Sequence, residues 1–192
     1  SRTGQVVLGE WLLEEVKKKI SEVMSESELK NKEEVLEKIT VAAVKYAMLK
    51  IGVRQDMAFD INESVSLTGD SGPYLLYIVA RIKSILKKDT RNKIQKISNF
   101  QFPISKEEKK LLLQVANFSE VIKSSAEDLD PSKIAKYLFE LAQTFNSFYE
   151  NCPVLKAEND DVRDFRLQLI NQVGQVMEKG IYLLGIETVD EM

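Results

Sequence analysis

The sequence predicts an all-α fold, an antiparallel helical bundle, and three observations carry that prediction. Apolar residues recur at i, i+3 and i+4 through most of the chain, the spacing of a single helix face. Capping residues and prolines stand where those periodic stretches begin. No alternation of strand and helix patterns interrupts them, and the connectors are short. At 192 residues the chain is long enough to bury a sizeable core.

The first helix spans about 9–24, with Leu12, Leu13, Val16, Ile20 and Val23 on one stripe between lysines and glutamates. After a polar break, SESELKN, Asn31 and Glu34 make an N-terminal cap for a second helix that runs to about Leu49 and is ended by Gly52. Its apolar face (Val35, Ile39, Ala42, Ala43, Tyr46) is rich in small residues, which permits close approach of another helix. Residues 53–72 lack a long period and read as an extended piece, a short turn and a Gly/Ser/Asp loop.

Pro73 suits the first position of a third helix, where its missing N–H costs nothing. That helix is expected to reach about Ile97, with Leu76, Val79, Ala80, Ile82, Ile85 and Leu86 as apolar positions. Ser105 and Glu108 have capping-box spacing ahead of KKLLLQVANFSEVI. Asp130 and Pro131 open PSKIAKYLFELAQTFNSFYEN, and Pro153 closes it. In that segment Tyr137, Leu138, Leu141, Phe145 and Phe148 fall on a core stripe, while Tyr149 lies one residue off it. The last long helix covers about 158–179, with Phe165, Leu169, Val173 and Val176 inward and Gly180 as its stop. Two units are expected: residues 1–30 as a connecting piece and 31–192 as the bundle, the weakest joint lying at 24–31.

Composition narrows the chemistry. The chain has no histidine, which removes histidine triads, most zinc sites and the commonest acid–base group, and no metal site is expected. A single cysteine, Cys152, cannot form an internal disulfide, which fits a reducing cytoplasm. No apolar run approaches the roughly 18 residues of a membrane span, so no membrane partner is expected. A binding or scaffold role fits these residues better than an independent enzyme.

Net charge is −3, yet RIKSILKKDTRNKIQK concentrates seven basic residues (Arg81, Lys83, Lys87, Lys88, Arg91, Lys93, Lys96) against one acid, Asp89. A phosphate backbone meets one face rather than the average, so this run is either a solvated helix face or an RNA-facing strip. Beside it, Tyr74, Tyr77 and Arg81 share a helix stripe. One reading buries the tyrosines; the other makes a platform on which bases stack and the guanidinium pairs or stacks. The Gly69–Gly72 loop, GDSG, lacks the lysine and the spacing of a phosphate-binding loop.

Taken in order, Lys45-Tyr46, Phe59-Asp60, Gly69, Pro73-Tyr74, Tyr77 and Arg81 resemble the segment of arginyl-tRNA synthetases that enters their helical anticodon-binding domain. YLFELAQTFNSFYENCPVL, Arg166-Leu167 and the closing LLGIETVDEM are similar to the same family, so the resemblance spans essentially the whole chain. It implies an all-α domain of the class I synthetase anticodon-binding type, whose partner is the anticodon stem-loop of the arginine tRNA, not DNA. By the same resemblance Tyr74, Arg81, Tyr149 and Met192 match positions around anticodon bases, with Tyr77 a further member. Lys87 and Lys88 are the candidates for phosphate. Pro153 stands where the family sometimes has an aromatic residue, so the resemblance carries no aromatic contact to the third anticodon base. GDSGPY departs from the commoner Gly-Asn-Thr-Ala-Pro-Tyr, and Ser71 and Gly72 are expected to loosen the helix start.

Ser1-Arg2-Thr3-Gly4 and the following valine pair resemble the tail of the family's mobile Lys-Met-Ser-Lys-Ser-type loop. The resemblance implies that the catalytic domain lies outside this chain. The chain alone is then expected to be inert and without a cofactor, ATP and magnesium serving the full-length ligase. Two alternatives remain open at this stage: the anticodon domain of another class I synthetase, such as the cysteine enzyme, and a helical protein-interaction module.

Overall fold

The computed structural model describes residues 9–24, 31–89 and 102–192, and among these it contains seven helices and no strand. The first, α1 (Gly9–Val23), buries Val16 and Ile20, and Met24 continues the stripe just past its end. Leu13 and Val23, expected inward, are exposed, because residues four apart already fill the narrow face that meets the neighbouring helix.

In α2 (Lys32–Leu49), Ile39, Ala42, Ala43 and Tyr46 are buried as the small-residue face predicts. The expected Asn31 cap is not made: its side chain bonds no helix N–H, and Glu34 pairs with Lys38 at 2.9 Å instead. Glu33 and Glu34 still place negative charge at the positive helix end. Within 53–72 lies a one-turn helix, α3 (Ile61–Ser64), capped by the Asp60 carboxylate accepting from the Glu63 N–H at 3.1 Å. One turn is too short to leave a periodic signal.

At the centre is α4 (Gly72–Lys87), which packs against α2 and the two C-terminal helices and is buried on most sides. Its start is firmer than expected. The Ser71 hydroxyl accepts from the Tyr74 N–H at 3.2 Å. A Cβ on Gly72 would stand 2.2 Å from the Ala42 carbonyl oxygen, so only glycine lets this turn seat on α2. The helix ends at Lys87 rather than near Ile97, as Asp89 turns its N–H to the Leu86 carbonyl at 3.2 Å and its carboxylate to Arg163 at 2.7 Å. Arg91, Lys93 and Lys96 lie outside the described residues.

Both halves of the capping box on α5 (Lys106–Asp128) form, Ser105 accepting from the Glu108 N–H and Glu108 from the Ser105 N–H. A left-handed Leu129 (φ 51°) leads to Asp130, whose carboxylate accepts from the Ser132 N–H at 3.0 Å and its hydroxyl at 2.6 Å; the residue at the helix start is Pro131, which has no side-chain cap, rather than the expected Asp130. In α6 (Ser132–Asn151) the predicted core stripe is buried throughout. The chain leaves α6 through Cys152 and Pro153.

Gly180 does not stop the final helix, α7 (Asp160–Leu183), but sits within it. A Cβ there would lie 2.6 Å from Leu138 Cδ2, so this glycine serves the α6–α7 contact. The left-handed Gly185 (φ 69°) turns the chain away instead. Leu184, Ile186 and Val189 then pin the C-terminal tail to the core, and Lys45 bonds the Gly185 carbonyl.

One buried ion pair ties three elements together. Arg166 on α7 donates to Glu108 at 2.6 Å and to the Pro153 carbonyl at 2.8 Å, with only 8% and 2% of the two side chains exposed.

Candidate nucleic-acid interface

Of the sequence-predicted residues, Tyr77, Arg81, Lys87, Tyr149 and Met192 come together where α4, the C-terminal turn of α6 and the tail meet. A cleft of about 310 Å³ is lined by Tyr77, Ala80, Arg81, Ser84, Lys87, Asp190, Glu191 and Met192. Tyr77 reaches it because its helix turns one face out of the core, leaving the residue 37% exposed. Arg81, one turn further along, is partly buried and holds its guanidinium carbon 6.0 Å from the Tyr77 ring centroid and 4.5 Å from that of Tyr149. Tyr149 in turn stacks on the core residue Phe145, with ring centroids 6.1 Å apart. Arg81 therefore lies on the aromatic surface that the sequence offers for base stacking. No carboxylate pairs with it among the described residues.

Tyr74 is placed differently from Tyr77. Its ring is buried edge-on against Phe139 at 5.9 Å, and its hydroxyl accepts from the Asn146 side-chain amide at 2.9 Å. Burial raises the Tyr74 pKa, an effect opposed by the Asn146 hydrogen bond and the Arg81 charge. Asn146, one turn before Tyr149 on α6, also accepts from Arg81 through its other end at 3.3 Å. Sequence reasoning missed Asn146; the available signal was a polar residue between Phe145 and Phe148 in an otherwise apolar helix face.

The basic run is divided. Lys83 pairs with Glu178 at 2.7 Å and Asp190 at 2.8 Å. Burial disfavours charge on Lys83, but the bonds to Asp190 and Glu178 outweigh it and raise its pKa. The same contact lowers the pKa of Asp190. Lys87 is exposed and pairs with Glu191 at 3.3 Å, while Lys88 is exposed outside the cleft lining. Asp190 and Glu191 were not foreseen, since more than one hundred residues separate them from their lysines. Ser1 and Arg2, the expected tail of a catalytic loop, lie outside the described residues.

An all-helical scaffold that gathers Tyr77, Tyr149 and an arginine unpaired by any carboxylate among the described residues beside one cleft has the surface chemistry of domains that bind unpaired nucleotides. Residues 75–192 match the sequence model of the DALR anticodon binding domain, and the chain belongs to that family. Over 194 aligned residues it is 38% identical to the arginine–tRNA ligase of Clostridium perfringens, covering all of this chain and 34% of the relative. To the arginine–tRNA ligase of Ignicoccus hospitalis it is 33% identical, covering 30% of that protein. The chain thus spans about a third of the length of the curated relatives it matches, in their C-terminal part. Among solved structures, Thermus thermophilus arginyl-tRNA synthetase superposes with a TM-score of 0.86 at 28% identity, over 97% of this chain and 32% of the other. The Plasmodium falciparum arginyl-tRNA synthetase gives 0.83 at 26% identity, over 97% and 34%.

Proposed function

We propose that this chain reads the anticodon stem-loop of the arginine tRNA for an arginine–tRNA ligase, and that the cleft between α4, α6 and the tail holds its unpaired bases. The observation that carries this reading is Arg81, set over the Tyr149 ring and unpaired by any carboxylate among the described residues. A base can stack on the guanidinium or on the tyrosine faces, while Arg81 donates to base acceptors or to phosphate. Met192 closes one side of the cleft with a polarizable apolar surface.

On this reading the chain supplies recognition and performs no ligation alone. ATP, with magnesium, serves the catalytic part of the ligase, which couples arginine activation to transfer onto tRNA. A cytoplasmic setting belongs to the same reading and is supported by a free, buried Cys152. No helix among the described residues is long and apolar enough to cross a membrane.

The test is a filter-binding titration with an arginine anticodon stem-loop and with stem-loops of other tRNA species. Tyr149→Ala is expected to weaken binding of the arginine stem-loop by about 1–3 kcal/mol, the contribution of one base–aromatic stack. Equal affinity for every stem-loop, or no loss in the variant, would refute the assignment.

A further inference from the structure

We infer that Asn146 is a positioning residue for RNA recognition, orienting Arg81 in the cleft without cancelling its charge. The inference rests on the reading of that cleft as an RNA site. Arginine has no acceptor, so the amide must turn its oxygen to Arg81 and its NH₂ to the Tyr74 hydroxyl. The far end of that bridge is fixed, because Tyr74 is buried and its ring is packed edge-on against Phe139. The near end holds the guanidinium over Tyr149. One neutral side chain on α6 thereby connects two α4 residues that lie two helical turns apart.

The neighbouring cations show the alternative. Lys83 and Lys87 are held by Glu178, Asp190 and Glu191, and their charge is compensated within the protein. A carboxylate at position 146 would hold Arg81 at least as firmly, but as an ion pair. The amide orients Arg81 and leaves its charge for the ligand.

The experiment measures fluorescence anisotropy of a labelled arginine anticodon stem-loop with the 192-residue chain. Asn146→Ala, Asn146→Asp, Arg81→Ala and the double variant Arg81→Ala/Asn146→Ala are compared, with thermal unfolding in parallel. Asn146→Ala should weaken binding about tenfold, yet cost nothing further in the Arg81→Ala background, the signature of a residue acting through its partner. Asn146→Asp, nearly isosteric, should keep the parent unfolding midpoint and lose at least as much affinity. The inference is overturned by an equal cost of Asn146→Ala with and without Arg81, or by parent affinity in Asn146→Asp. If the unaltered chain binds no stem-loop, this inference and the proposed function both fall. If it binds and responds to Tyr149→Ala but not to either change at 146, only the role of Asn146 falls.

Discussion

The tail acids Asp190 and Glu191 sit on Lys83 and Lys87, lysines of the basic run proposed to meet an RNA backbone, which makes their neutralisation an informative perturbation. Glu191→Gln leaves Lys87 without its partner at 3.3 Å, whereas Asp190→Asn leaves Lys83 still bound to Glu178 at 2.7 Å. The first change should therefore free one phosphate-competent cation and the second much less. An exposed pair such as Lys87–Glu191 contributes about 0.2–1 kcal/mol, so relieving it strengthens binding at most about fivefold. One added phosphate contact steepens the log–log salt dependence by about 0.7–0.9 unit. Stability should fall little, by no more than about 2–4 °C in thermal midpoint. Anisotropy titrations of the stem-loop from low to physiological salt measure both quantities. A weaker Glu191→Gln complex with an unchanged slope would refute this reasoning and assign the carboxylate an accepting role toward the RNA.

Three further outcomes follow from the core. Gly72→Ala drives a Cβ into the Ala42 backbone and should cost about 1–3 kcal/mol, whereas Gly180→Ala meets the Leu138 side chain rather than backbone and recovers helix propensity, so its thermal midpoint should stay higher; the reverse order would discredit the packing argument. Arg166→Met strands the buried Glu108 charge and should cost about 3–5 kcal/mol in urea unfolding, part of which returns when Glu108→Gln is added; no recovery would mean the pair is not electrostatic. Burial pushes Tyr137 up to about 12, above its unfolded value, so its contribution is complete below about pH 10 and disappears as pH rises through 12. Absorbance titration should show Tyr46, Tyr74 and Tyr137 ionising above the ordinary tyrosine range until the chain unfolds, and full ionisation of all three at pH 10 would contradict their burial.

Some features carried by neighbouring residues were legible in the sequence, though the Asn31–Glu34 cap, read by the same spacing, is not made. The Ser105–Glu108 box and the α6 core stripe depend on spacings of a few residues, and both stand where periodicity puts them. Gly180 was not legible, because a glycine near a helix end reads equally as a stop or as room for a neighbour, and only Leu138 decides between them. Nor was the end of α4: its basic residues favour helix, but an Asp89–Arg163 contact made across the fold takes part in turning the chain. At the cleft, Tyr77, Arg81 and Tyr149 could be proposed from helical phase. The tail acids could not, and Asn146 showed only as a polar residue on an apolar face, since the partners that give each its role are distant in sequence.

The position of α4 has a consequence for how this site can change. The same helix supplies the centre of the core and one wall of the cleft, with Tyr74 buried and Tyr77 exposed a single turn apart. Substitutions on α4 that alter ligand preference will disturb packing against several helices at once. The exposed positions at the end of α6, Glu150 and Asn151, and those of the last tail residues, Asp190 and Glu191, are held by far fewer contacts. New specificity, whether selected or engineered, should therefore accumulate there, around an α4 that stays nearly fixed.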